Sequence, residues 1–124
     1  MKNREELIKK LALLEIRRWI YYENKEYCLE KMANAYENAY ENDDGRSSGE
    51  GWRRAAGKWV KKHKRIADKI QKMIYSGDLQ EVQFLQTILH RIRESLQKPE
   101  IFQMIKESIN KKQILEAVME DYER

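Results

Sequence analysis

The sequence predicts an all-α protein, an antiparallel bundle of four to five helices, on three observations. Apolar residues recur at three- and four-residue spacing along most of the chain, the period of one helix face. No stretch shows the two-residue alternation of a half-buried strand. One proline among 124 residues leaves long runs with nothing to interrupt a helix. Hydrophobic residues make up 41% and charged residues 37%, enough apolar surface to fold despite the charge, and the length suits a single domain over residues 1–124.

The first element is read over residues 4–42. Leu7, Leu11, Leu14, Tyr21, Cys28, Met32, Ala35 and Ala39 form its stripe, missed at Arg18 and Lys25. The tract AYENAYEN at residues 35–42 fits this reading, because like residues four apart share a narrow strip of helix surface. Asn3 followed by Glu6 resembles a capping box at the start. Asn24 marks the place where an interruption would fall.

The run Asp43-Asp44-Gly45-Arg46-Ser47-Ser48-Gly49-Glu50-Gly51 predicts a Gly/Ser loop at 43–51, with Ser47 or Ser48 placed to cap the next helix. Trp52, Ala56, Trp59, His63, Ile66, Ile70 and Met73 then alternate by four and three without a miss, which gives a second helix ending at Ser76-Gly77. Asp78 with Glu81 opens a third helix, whose stripe is Val82, Leu85, Leu89, Ile92 and Leu96. Pro99 suits the first turn of a fourth helix with Ile101, Phe102, Ile105 and Ile109 on its apolar face. The spacing slips at Asn110, so a break there and a short fifth helix carrying Ile114, Leu115, Val118 and Tyr122 follow. On these boundaries the first helix would be about 58 Å long and the second about 37 Å, an overhang that helices 3 to 5 or a second copy of the chain would cover.

Charge is distributed unevenly. Residues 52–72 carry nine Lys or Arg and one acid, Asp68, while residues 23–50 carry eight acids and three bases. Mutual neutralisation of the two helices is the simplest expectation. The helical wheel argues against it, since Arg54, Lys58, Lys61, Arg65, Lys69 and Lys72 lie opposite the apolar stripe and Glu23, Glu26, Glu30, Glu37 and Glu41 point away from theirs. Like charges four apart, Arg54/Lys58, Lys58/Lys62, Lys61/Arg65 and Arg65/Lys69, each disfavour the helix by about 0.2–0.5 kcal/mol. An anionic partner outside the helix is the simplest compensation.

The expected function is therefore binding. Arg53, Arg54, Lys58, Lys61, Lys62, Arg65, Lys69 and Lys72 are the candidate contacts to an anionic partner, and Tyr36, Tyr40, Glu37 and Glu41 the candidate protein-binding face. A protein partner or a second copy, in an adaptor, inhibitor or assembly role, comes first. Nucleic acid held through phosphates is the alternative, with no helix-turn-helix, zinc or RNP-type signature to support it and two tryptophans drawn into the packing seam. A membrane surface is disfavoured because the apolar stripes are needed for packing.

Catalysis is not expected. There is no HExxH, CxxC or P-loop pattern, and the glycine-rich segment lacks the strand before it and the Lys-Ser/Thr ending of a nucleotide loop. His63 reads as a core histidine, His90 as a boundary residue, and Cys28 has no nearby histidine. No cofactor and no metal is called for. A lone cysteine and a longest aliphatic run of Leu11 to Leu14 point to a soluble, cytoplasmic chain.

Overall fold

The structure, a computed structural model, describes residues 3–38, 44–107 and 110–123. Five helices and no strand occur among the described residues: α1 (Arg4–Asn38), α2 (Asp44–Ile74), α3 (Leu79–Leu96), α4 (Pro99–Lys106) and α5 (Lys111–Glu123). The chain packs as two compact units, one of Met1–Ile20 with Arg65–Arg124 and the other of Tyr21–Lys64.

Local signals account for most helix ends. Asn3 Oδ1 accepts from the Glu5 amide at 3.0 Å and caps α1, which runs through Asn24 without a break. Asp78 Oδ1 accepts from the Glu81 amide at 2.9 Å and starts α3. Pro99 occupies the first turn of α4, where its missing N–H leaves no bond unmade. Asn110 Oδ1 accepts from the Lys112 amide at 2.8 Å at the head of α5, the break expected there.

Two boundaries differ from expectation. The Gly/Ser segment is not a loop: α2 already begins at Asp44, so Ser47 and Ser48 lie inside the helix and not at its cap. Glycine costs a helix about 1 kcal/mol relative to alanine, a weak preference that tertiary packing overrides. The packing here is specific, because Gly49 is buried under the ring of Tyr36 and a Cβ at that position would lie 2.8 Å from the ring. The Tyr36 hydroxyl also donates to Glu50 Oε1 at 2.6 Å. The second difference is length. The described part of α1 has 35 residues, about 52 Å, and α2 has 31 residues, about 46 Å and not about 37 Å, because it takes in the Gly/Ser segment. The part of the expected first helix beyond Asn38, up to residue 42, lies outside the described residues, as do Ala39, Tyr40, Glu41 and Ile109.

In the unit formed by both chain ends, the core is aliphatic. Leu11, Ile16, Ile92, Leu96, Ile114 and Val118 are fully buried, and Ile66, Ile70 and Ile74 of α2 are buried as well. Helix α3 packs on α4 and α5, and α4 on α5. Trp19 meets Phe102 edge to face at 6.0 Å, Ser95 donates to Asp121 at 2.6 Å, and Lys98 pairs with the same carboxylate.

The unit spanning Tyr21–Lys64 is built differently. Its helix segments pair Tyr21 with Trp59 at 5.7 Å, Tyr27 with Trp52 at 5.9 Å and Tyr36 with Glu50, so partner numbers fall on one helix as they rise on the other. Tyr22 meets the ring of His63 at 6.1 Å. Among the described residues, its buried apolar side chains are small ones, Cys28, Ala35 and Ala56.

Candidate functional site

In the Tyr21–Lys64 unit, the stripe of Trp52, Ala56, Trp59 and His63 turns inward, which leaves the opposite face of α2 to the cations. Arg53, Arg54, Lys58, Lys61, Lys62 and Lys64 are all exposed. In the other unit, Arg65, Lys69 and Lys72 are exposed as well. Ion pairs among the described residues join Lys9 to Glu5, Arg18 and Arg93 to Glu15, Lys25 to Glu26, His90 to Glu94 and Lys98 to Asp121. None of them takes up a cation of residues 53–72.

Within this face lies a shallow, open depression of about 420 Å³. Gly51 and Ala55 form its low ground because they carry little or no side chain, and Arg54, Lys58, Trp59 and Lys62 stand around them. Residues 51, 55, 58 and 62 are three and four apart, so one helix face supplies the whole feature. The Lys62 ammonium sits 4.5 Å from the centre of the Trp59 ring, a cation–π contact that holds it beside the depression. Trp59 is half-buried: it packs on Tyr21 in the seam and lines the depression as well. Three cations within about 12 Å of helix make a concentrated positive field, suited to carboxylates or phosphates.

The acidic, tyrosine-bearing face is only partly brought together. Glu37 is exposed, with Glu26 and Glu30. Tyr36 is engaged inside the unit, its ring on Gly49 and its hydroxyl on Glu50. Tyr40 and Glu41 lie outside the described residues. Lys25 over Tyr22 at 4.3 Å and Lys31 over Tyr27 at 5.5 Å add cations to this helix segment.

Two features of the other unit were not visible in the sequence pattern. Glu15 is fully buried; its Oε1 accepts from Arg18 at 2.6 and 2.9 Å and from Arg93 at 3.0 Å, while no described group bonds Oε2. This explains the break in the α1 stripe, since Arg18 turns aside to serve Glu15 with its guanidinium 5.4 Å from the Trp19 ring. The Glu15/Arg18 spacing of three was the available signal. The second feature is a groove of about 1060 Å³ walled by α1, α2 and α3. Leu7, Leu14, Met73 and Phe84 are left half-buried along it, and Lys69 and Lys72 line it.

Residues considered for catalysis sit apart. Cys28 is buried, and desolvation raises its thiol pKa above the ordinary value, which disfavours the nucleophilic thiolate. His63 is half-buried against Tyr22, as a packed histidine would be. His90 is exposed and not at the boundary, its Nε2 2.9 Å from Glu94. Among the described residues, no group of His, Cys, Asp and Glu is arranged to hold a metal ion, and no helix is long and apolar enough to cross a membrane. No protein family, no curated protein and no solved structure matches this chain.

Proposed function

We propose that this chain is a non-catalytic interaction module that docks on an acidic protein surface through the basic face of α2. One observation carries the reading: the cations Arg53, Arg54, Lys58, Lys61, Lys62 and Lys64 are exposed, and none shares in an ion pair among the described residues. Such a face repels itself along the helix and gains when an opposite charge arrives. A protein partner is favoured over nucleic acid because the same unit exposes apolar and aromatic groups beside the charges. Val60 is 47% exposed and Tyr27 52% exposed, and Trp59 reaches the surface at the depression. Interfaces between proteins combine apolar contacts with a charged rim, whereas phosphate contacts need no apolar neighbours.

Nucleic-acid binding is the second reading, supported by the density of cations on one helix face. Titration separates the two. A Glu-rich, wholly polar peptide of about 20 residues is expected to bind at 100 mM salt and to lose binding in the Lys58→Glu/Lys62→Glu variant, while generic duplex DNA and single-stranded RNA show no saturation. Saturable DNA or RNA binding at about 10⁻⁴–10⁻⁶ M, falling steeply with salt and abolished by the same variant, would establish the second reading instead.

A further inference from the structure

The groove in the unit of Met1–Ile20 and Arg65–Arg124 is a binding site of a different kind from the exposed basic face. Its floor is apolar, with Leu7 and Leu14 from α1, Met73 from α2, and Phe84 and Leu85 from α3. All but Leu85 are only half-buried, so each keeps apolar surface that water touches. Its rim is basic: Arg4, Lys10 and Arg17 follow one side along about 20 Å of α1, and Lys69 and Lys72 stand on the α2 side. The volume, about 1060 Å³, is at the upper end of small-ligand pockets.

The pattern of the walls selects the occupant. On α1, Leu7 and Leu14 are seven apart, and so are Lys10 and Arg17. Leucines and cations thus alternate along the groove with the heptad spacing by which one helix matches another. On α2, Lys69, Lys72, Met73 and Ser76 lie on one face at the same three- and four-residue steps. Three helices therefore present a seam for a fourth. Arg17 adds a second observation: it lines the groove, and its Nε is buried with no hydrogen-bond partner among the described residues. Arg4 is braced by the Phe84 ring, 4.8 Å from its centre. A lone fatty-acid carboxylate would answer one of these five cations and leave the rest unmet. A helix with acids every three to four residues beside an apolar stripe answers all of them, and Asp78 and Glu81 at the α3 end suit a basic residue of the same helix.

We infer that this groove receives an amphipathic, acidic helix from a partner protein, with apolar side chains on Leu7, Leu14, Met73 and Phe84 and carboxylates on Lys10, Arg17, Lys69 and Lys72. The site deepens the proposal of an acidic protein partner but uses different residues, so the two fail separately. The test is fluorescence anisotropy on the full chain with a labelled 18-residue peptide carrying leucines at heptad positions and flanking glutamates. A scrambled peptide of the same composition, a lysine-for-glutamate peptide and palmitate as competitor complete the set. The expected result is saturable binding of the first peptide near 10⁻⁵ M, at least about tenfold weaker for the scrambled and basic peptides. Lys10→Glu/Lys72→Glu is expected to weaken it by about 100-fold, while Lys58→Glu/Lys62→Glu leaves it within about twofold. Circular dichroism of each variant confirms retained helix. Equal binding of the scrambled peptide, no saturation up to about 1 mM, or displacement by equimolar palmitate would overturn the inference. Loss of binding in the Lys58/Lys62 variant alone would overturn it as well, by moving the contact to the other face.

Discussion

Helices α1 and α2 each contribute to both units, and their segments are buried in opposite ways. Where Leu11, Ile16, Ile92, Leu96, Ile114 and Val118 meet, large aliphatic side chains are removed wholly from water. Between Tyr21 and Lys64 the buried apolar residues among those described are Cys28, Ala35 and Ala56, and ring contacts and the Tyr36–Glu50 hydrogen bond join the helix segments. Aromatic pairs of this sort add only about 0.5–1.5 kcal/mol each beyond their burial. The difference teaches that cohesion and surface chemistry are divided along the chain. The aliphatic unit buries the large side chains, and the ring-joined unit carries Arg53, Arg54, Lys58, Lys61, Lys62 and Lys64 exposed along one helix segment, none of them in an ion pair among the described residues.

The largest test of that division is Leu96→Ala, which removes a fully buried side chain from the aliphatic core. It is expected to lower the unfolding free energy by about 3 kcal/mol in chemical denaturation. Native-state hydrogen exchange on the parent protein should show amides of residues 24–36 and 53–62 opening at lower free energy than those of residues 85–96. Equal protection in both would erase the comparison.

Arg18→Ala comes next. It removes two of the three hydrogen bonds held by the buried Glu15 carboxylate. A loss of about 2 kcal/mol is expected, and Arg18→Lys should recover only part of it because one ammonium cannot supply the same fork.

Smaller effects separate two glycines of α2. A Cβ at Gly57 meets nothing within 4 Å, so Gly57→Ala should stabilise by about 0.5–1 kcal/mol through helix propensity alone. Gly49→Ala gains the same propensity but drives its methyl to 2.8 Å from the Tyr36 ring, and a net loss of about 1 kcal/mol is expected. Thermal melts of the two variants should therefore move in opposite directions.

The smallest effect is the pH dependence from Cys28. Burial raises its thiol pKa, so the folded chain holds this proton more tightly than the unfolded chain does. Stability from this source is complete below the ordinary value of 9.0 and is lost as pH rises through the raised one. Cys28→Ala should show a shallower decline across that alkaline window than the parent.

Much of the fold was legible because its signals are local. Asp78 with Glu81, Pro99 and Asn110 each mark a helix start that the structure reproduces, and the 3-4 stripes name most of the buried Ile and Leu. The start of α2 was not legible, since Gly45, Ser47, Ser48, Gly49 and Gly51 speak for a loop unless the ring of Tyr36, thirteen residues before Gly49, is known to lie on it. The outward cations of α2 follow from the helical wheel, which needs only one helix. Glu15 and the groove do not, because Arg93 and Phe84 reach them from a distant part of the chain.

The most direct test of the claim that the basic face is uncommitted is the stability of Lys58→Glu at low salt. Lys58 has Arg54 four residues before it and Lys62 four after, so reversing its charge turns two repulsions into attractions. The unfolding free energy should rise by about 1 kcal/mol and the gain should shrink in 1 M salt. A loss of about 1 kcal/mol or more would mean that Lys58 already serves an acidic group of its own chain, and would contradict the account.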